Sequence, residues 1–256
     1  MRVENLGDGE PEFAVLGSVH GDEPCGKRAI ERFLSEEHEV KKPVKLIIVN
    51  EKALEEDKRY LEADLNRSMP GDEDSDLYEE RLAAKLFEEI KGLKVLDIHS
   101  TRSYPEPFAT IKDLEDSTKN MVESTGVEKA VVFEEGSGST TEHVEGVIIE
   151  SGYQGSDEAA ENAYKVMKNF LAAQGAIEDE YTVSEPDYYR YKDTVEGDYT
   201  FLAENFRKVE KGQVYARNQE IELKAEKDFY PVLMSTDGYE GMLGFKAEKI
   251  NQTDLT

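Results

Sequence analysis

The chain has 256 residues and a formal charge of −26, from 57 acidic against 31 basic side chains. A surface of that sign repels phosphate backbones and anionic lipid headgroups, so nucleic acid and membrane surfaces are excluded as expected partners. The hydrophobic share of 38% is low but sufficient for a core, and apolar segments recur along the whole length.

The acidic balance suits a salt-rich cytoplasm, where screening quenches self-repulsion, although lysines outnumber arginines, unlike the lysine-poor habit of many halophiles. Cys25 is the only cysteine, so no intrachain disulfide can form. The opening "MRVENLGDGEPEF" lacks an apolar leader, and no apolar run is long enough to span a bilayer. A soluble, cytoplasmic protein is expected.

In chain order, "FAVLGSVH" is an apolar, β-leaning run, and "EPCGKRAIERFLSEE" follows as an amphipathic helix with Cys25, Ala29, Ile30, Phe33 and Leu34 on one face. "VKLIIVN" is a continuous apolar strand. "SDLYEERLAAKLFEEI" predicts a helix capped by Ser75, with Glu79 in its first turns and Leu82, Leu86 and Ile90 at helical spacing. "KVLDIHS" is a third strand, "DSTKNMVESTG" a helix ended by Gly126, and "KAVVFEE" and "GVIIESG" are further strands. "SDEAAENAYKVMKNFLAAQG" predicts a helix capped by Ser156, with acids in its first turns, and ended by Gly175.

This alternation predicts an α/β domain over residues 1–176, with a mixed, mostly parallel sheet covered by helices. Beyond it, "YTVSE", "DTVEGDYTFL", "QEIELKA" and "FYPVLMSTDGYEGMLGFKAEKI" read as short strands with Gly, Asp and Pro turns. They predict a smaller β domain over residues 177–256 that caps the site.

His20 and Glu23 stand three apart where the first strand breaks into a helix, and His99 ends another apolar strand. In an open α/β sheet the carboxyl ends of neighbouring strands form the ligand crevice. Two imidazoles and a carboxylate meeting there are the donor set of a hydrolytic zinc site. Asp97 shares a strand face with His99 and is placed to fix the tautomer of a ligand histidine. Taken alone, an H-x-x-E spacing is weak and a strand-end histidine is more often a hydrogen-bonded core residue; the chain's four histidines, two of them ending apolar strands, raise the reading. Glu150 follows Val147, Ile148 and Ile149, and a carboxylate ending a buried strand is costly unless paired or functional. "KRYLEADLNRSMPGD" supplies Arg59, Asp64, Asn66 and Arg67, and guanidinium groups bind carboxylates and stabilise oxyanions. The bland alternative for those arginines is surface ion pairing.

Taken in order, "GSVHGDEP", "RYLEADLNRSMPGD", "LDIHST" and "GVIIESG" resemble the succinylglutamate desuccinylase/aspartoacylase family, within the zinc carboxypeptidase superfamily. The resemblance is carried by residues 13 to about 156 and runs thinly beyond. It implies a deacylase binding one Zn2+ per chain and cleaving the amide of a small N-acyl amino acid. By position, it implies His20, Glu23 and His99 as zinc ligands, Glu150 as the catalytic glutamate and Arg59 as the group that polarises the scissile carbonyl. Asn66 and Arg67 match the pair that grips a substrate carboxylate, and Tyr239, in "YPVLMSTDGYEG", matches a tyrosine that reaches the site. Members of the family often associate, which leaves a homo-oligomer open.

One departure matters. Aspartoacylase-type members carry a tyrosine and an arginine upstream of the catalytic glutamate to read a second carboxylate. Those places fall near Gly136 and Thr140 here, within "EEGSGSTTEHVEG", which has no arginine. Arg102 is the candidate substitute, its alternative being a solvent-facing loop residue. His143 in the same loop and His38 in "SEEHEV" read as surface residues, and Cys25 as packing under its helix. Three other readings stay open: a metallocarboxypeptidase, a zinc-bound module that binds without turnover, and cobalt or manganese in place of zinc.

Overall fold

The computed structural model describes residues 1–133 and 138–251. In chain order its elements are β1 (Arg2–Leu6), β2 (Phe13–Gly17), α1 (Cys25–Ser35), β3 (Val44–Ile48), α2 (Glu51–Glu55), α3 (Tyr78–Ile90), β4 (Lys94–Thr101), β5 (Phe108–Ile111), α4 (Asp116–Thr125), β6 (Lys129–Val132), β7 (Glu145–Tyr153) and α5 (Asp157–Ala173). There follow β8 (Asp187–Glu196), β9 (Thr200–Phe201), β10 (Val214–Arg217), β11 (Glu222–Lys224), β12 (Tyr230–Val232) and β13 (Met242–Lys249).

Ten strands form one mixed sheet in the order β1-β3-β2-β4-β7-β5-β6-β8-β13-β12. The centre is parallel: β2 pairs in parallel with β3 and β4, and β4 with β7. β5 runs antiparallel to β7 and parallel to β6. The sheet continues past residue 176, because β8 pairs in parallel with β6 and then carries β13 and β12 antiparallel. A small antiparallel sheet, β11-β10-β9, stands apart. Among the described residues no helix is long and apolar enough to cross a membrane.

Strand alternation sorts the core onto two faces. Val15, Leu46, Ile48, Leu96, Ile98, Val147 and Ile149 pack under α1, α4 and α5. Ala14, Leu16, Ile47, Val49 and Val95 point the other way, under Leu82, Leu86 and Ile90 of α3. Asp97 and His99 share the face of Val95, so the chemistry sits on the α3 side.

Two close approaches fix the end of β2. Gly17 and Gly26 lie backbone to backbone, and a Cβ on Gly26 would stand 2.7 Å from Gly17 Cα. Ser18 has a left-handed φ of 55°, and its hydroxyl donates to the Glu23 carbonyl at 3.3 Å, closing the turn that holds His20. Such non-glycine strain collects at functional sites.

Several local expectations need correction. Ser75 is not the α3 cap: the helix starts at Tyr78, and the Ser75 hydroxyl donates to Glu80 and accepts from the Leu77 amide. Tyr181 to Glu185 forms no strand: the Thr182 backbone pairs with the Asn169 side chain, and the Ser184 amide donates to the Glu123 carbonyl at 3.1 Å. His38 is not a solvent residue: its side chain is 10% exposed and stacks on Phe33 with ring centroids 3.7 Å apart. Leu34 faces outward at 37% exposure, because only one side of α1 reaches the sheet. Ser156 and Gly126 do cap as expected, by accepting from the Ala159 amide and by a φ of 77°. Glu134 and Glu135, assigned to a strand from sequence, lie outside the described residues.

Burial separates two neighbours on α1. Ile30→Ala should cost about 2–5 kcal/mol of stability, and Leu34→Ala under about 1 kcal/mol; urea unfolding midpoints measure the difference, and equal costs would contradict the assigned face.

Candidate active site

Three adjacent parallel strands deliver the site. His20 follows β2, His99 lies in β4, and Glu150 lies in β7, directly across the ladder from His99. Glu23 precedes α1, and its carboxylate lies between the two rings. Its Oε1 is 2.9 Å from His20 Nδ1 and its Oε2 is 2.9 Å from His99 Nδ1. The rings meet edge to face with centroids 4.9 Å apart. All three residues are buried, and one ligand atom from each falls within 4.8 Å of the others.

Each ring's other nitrogen is already committed. His20 Nε2 donates to Asp64 Oδ1 at 3.0 Å, and His99 Nε2 donates to Asp97 Oδ2 at 3.0 Å. Ionised carboxylates only accept, so both Nε2 atoms carry their protons and both Nδ1 atoms face the Glu23 oxygens. Lone pair against lone pair at 2.9 Å requires positive charge between them. Burial disfavours charge on either ring, yet the carboxylates outweigh it: Glu23 raises His20, and Asp97 and Glu23 raise His99 well above the usual imidazole range. Burial likewise opposes ionisation of Glu23, and the two rings still hold it well below the usual carboxylate range. Two imidazole nitrogens and a carboxylate aimed at one point, each histidine backed by a carboxylate, fit a divalent cation of the zinc type.

The supporting shell reaches back to distant segments. Glu23 Oε2 also accepts from the Ser100 amide at 3.0 Å. Arg59 donates to Glu23 Oε1 at 3.1 Å and to Asp64 Oδ2 at 3.3 Å. Burial would raise the Asp64 carboxyl, but the hydrogen-bonded His20 ring and Arg59 leave it far below its ordinary value. Buried Glu79 of α3 holds the loop that carries Arg59, accepting from the amides of Leu61, Glu62 and Ala63 at 2.7–3.1 Å and from Asn50 Nδ2 at 3.2 Å.

Sequence reasoning named Asp64 without its partner and missed the roles of Glu79 and Thr140. Asp64 and His20 are 44 positions apart, and nothing local signals their contact. Thr140 ties two parts together: its hydroxyl donates to Asp97 Oδ2 and its amide donates to Asn66 Oδ1 at 2.9 Å. The residue at the place of the absent arginine is thus built into the frame. Gly136 lies outside the described residues.

A cavity of about 970 Å³ opens over this centre, lined by His20, Glu23, His99, Glu150, Arg59, Asn66, Arg67, Arg102 and Tyr239 among others. All nine sequence-predicted residues therefore share one space. Glu150 is half-buried, and its Oε2 is fully covered with no hydrogen-bond partner among the described residues. Burial, then the Glu23 charge, pushes its carboxyl up to about 7. Tyr239 faces the cavity, its hydroxyl pKa raised by desolvation and by Glu150 and Glu23. Arg67 is exposed to the cavity, its Nη1 donating to the Asn66 carbonyl at 2.6 Å. Arg102 is at the mouth, donating to Gln154 Oε1 at 2.8 Å. His143 and Cys25 do not line the cavity; the Cys25 thiol is buried under α1, where desolvation and Glu23 push it up to about 12.

A search of curated proteins finds no match by sequence. Solved structures do match in fold. A succinylglutamate desuccinylase/aspartoacylase from Rhodobacter sphaeroides superposes with a TM-score of 0.79 at 20% identity, covering 98% of this chain and 89% of that one. The ectoine utilization protein EutE from Ruegeria pomeroyi gives a TM-score of 0.79 at 20% identity, over 96% and 87% of the two chains. Murine aminoacylase 3 gives 0.78 at 19% identity, over 95% and 97%. Residues 10–172 match the succinylglutamate desuccinylase/aspartoacylase catalytic domain. The chain belongs to that family.

Proposed function

We propose that the protein is a zinc-dependent deacylase that hydrolyses the amide of a small N-acyl amino acid. The observation that carries the reading is Glu150: a carboxylate with a covered, partnerless oxygen, set across the β4–β7 ladder from His99 and beside the Glu23 pair. A group with that placement and a pKa near neutrality is suited to take up and release a proton.

His20, Glu23 and His99 would hold the metal. When bound, zinc supplies Lewis acidity, which polarises an amide carbonyl and makes water a better nucleophile near neutral pH. Glu150 accepts a proton from the attacking water as its oxygen bonds to the acyl carbon. Glu150 then passes that proton to the amine nitrogen as the carbon–nitrogen bond breaks, giving a carboxylic acid and a free amino acid. Arg59, with its guanidinium on the cavity wall, stabilises the charge that develops on the carbonyl oxygen. Asn66 and Arg67 hold the substrate carboxylate and fix the register of attack. Tyr239 and other residues from the chain beyond 176 line the cavity, which supports a capping role for the C-terminal region.

Glu150→Gln should lower kcat on an N-acyl amino acid by about 10²–10⁴-fold while keeping one metal ion per chain, as read by turnover assays and metal analysis. Equal turnover of variant and wild type would overturn the catalytic assignment.

Arg67→Ala should lower kcat/KM about thirtyfold, equivalent to about 2 kcal/mol. The loss should vanish when the substrate carboxylate is esterified, and a loss that persists with the ester would remove Arg67 from carboxylate binding.

Glu150 also sets a pH dependence of stability in metal-free protein. Its folded pKa of about 7 lies above the ordinary 4.5, so the folded state holds an extra proton between those values and stability falls as pH rises through the window. Glu150→Gln removes that loss, amounting to about 3 kcal/mol. In chelator it should stabilise the protein at pH 8 and change little at pH 4.5, as read by thermal unfolding.

A further inference from the structure

The cavity is much longer than the metal centre. At about 970 Å³ it lies at the top of the about 300–1,000 Å³ typical of small-molecule pockets. Its floor is the α3-side face of the sheet. Moving away from His99, that face carries Glu150 and Ile148 of β7, Thr110 of β5, Phe133 just after β6, Tyr191 of β8 and Phe245 of β13. The three aromatic rings form one cluster, with centroids 5.2 Å apart for Phe133–Phe245, 5.6 Å for Phe133–Tyr191 and 5.7 Å for Tyr191–Phe245. All three are half-buried, and Leu233 and Met242 line the same cavity.

The two ends of the cavity differ in chemistry. Asn66 Oδ1 accepts from the Thr140 amide, and the Thr140 hydroxyl donates to Asp97 of β4, so Asn66 and its neighbour Arg67 are tied to the β4 side of Glu150. The aromatic cluster stands on the opposite side, two or more strand spacings from β7, or about 10 Å. An amide over Glu150 with its carboxylate on Arg67 sends its acyl half toward the rings. The other cations of the cavity are committed. Lys112 Nζ donates to the carbonyls of Glu142 and Val144 at 3.1 Å, and Arg102 is bound to Gln154 at the mouth, 4.0 Å from Asp22.

We infer that the Phe133–Tyr191–Phe245 floor is an acyl subsite, and that the preferred substrate carries an apolar acyl group, aromatic or several methylenes long, rather than a short or carboxylated one. The inference deepens the deacylase reading and rests on it. A carboxylated acyl end would be stripped of water against three rings, and the nearest cation among the described residues, Lys112, is held by two backbone carbonyls, whereas each methylene laid on the floor adds binding.

The test uses the zinc-loaded enzyme and three series. N-acylalanines with acetyl, butanoyl, hexanoyl, phenylacetyl and succinyl groups vary the acyl half. N-acetyl derivatives of glycine, leucine and phenylalanine vary the amino-acid half. Equilibrium binding of the free acids, acetate to hexanoate and phenylacetate, measures the floor without turnover. The expected result is a rise in kcat/KM of up to about fourfold per methylene, with succinyl slower than butanoyl. The free acids should show a parallel rise in affinity. Phe133→Ala and Phe245→Ala should each flatten the hexanoyl-to-acetyl ratio, and the binding series in wild type keeps the test valid if a variant fails to fold. A rise along the amino-acid series alone would overturn the acyl assignment, and flat responses in all three series would overturn the subsite. Affinity that rises with chain length while no amide is cleaved would support the subsite and overturn the deacylase reading instead.

Discussion

The Glu23 carboxylate, with one oxygen against each imidazole, is the interaction on which the site depends. A bridging carboxylate can serve both rings only if each ring turns its Nδ1 inward. That orientation is imposed from outside, by Asp64 on one histidine and Asp97 on the other. The result is three carboxylates around two rings, with Glu150 a short step away and Arg59 as the nearest fixed cation. Such a cluster is electrostatically unbalanced, and a divalent ion at the Nδ1–Glu23 focus would balance it.

The surrounding fold can be understood as the apparatus that holds this focus. Parallel pairing of β2, β4 and β7 brings three strand ends into one line. The Gly17–Gly26 contact lets α1 approach the sheet closely enough for Glu23 to reach His99, 76 positions away. Buried Glu79 spends both oxygens on the loop that carries Arg59 and leads to Asp64. A buried carboxylate is costly, but one that satisfies three backbone amides and an asparagine side chain rigidifies an otherwise irregular segment. Thr140 closes the frame, joining the carboxylate that orients His99 to the asparagine next to Arg67.

The parts of this arrangement visible in the sequence were those with local signatures. The apolar runs of β2, β3, β4 and β7 are buried on both faces, so composition alone marks them. His20, His99 and Glu150 stand out because they end such runs. Phe108–Ile111 carries no such mark: four residues are too few for a period, and the strand exists because β7 and β6 offer it edges. Glu79 looked like an ordinary acid in a helix's first turn, where it would favour the dipole; its buried role depends on a loop that folds back over it. His38 sits among glutamates and reads as solvated, yet the chain reverses after α1 and lays the ring on Phe33. Asp64 could be seen in the sequence but not paired, because contacts over 44 residues are set by topology.

The charge of the whole molecule bears on what the cavity selects. At −26 the surface opposes anionic ligands, but over distances beyond the Debye length of about 8 Å at physiological ionic strength that field is largely screened. Attraction must then come from groups inside the cavity, and Arg59 is already shared between Glu23 and Asp64. Lys112 is held by two backbone carbonyls and Arg102 by Gln154, which leaves Arg67 as the guanidinium on the cavity wall with no side-chain partner among the described contacts and suits one substrate carboxylate better than two. A monoanion that gains its remaining affinity from apolar contact therefore matches both the charge of the chain and the aromatic floor, whereas a dianion would meet the opposing field twice and find a single receiving guanidinium.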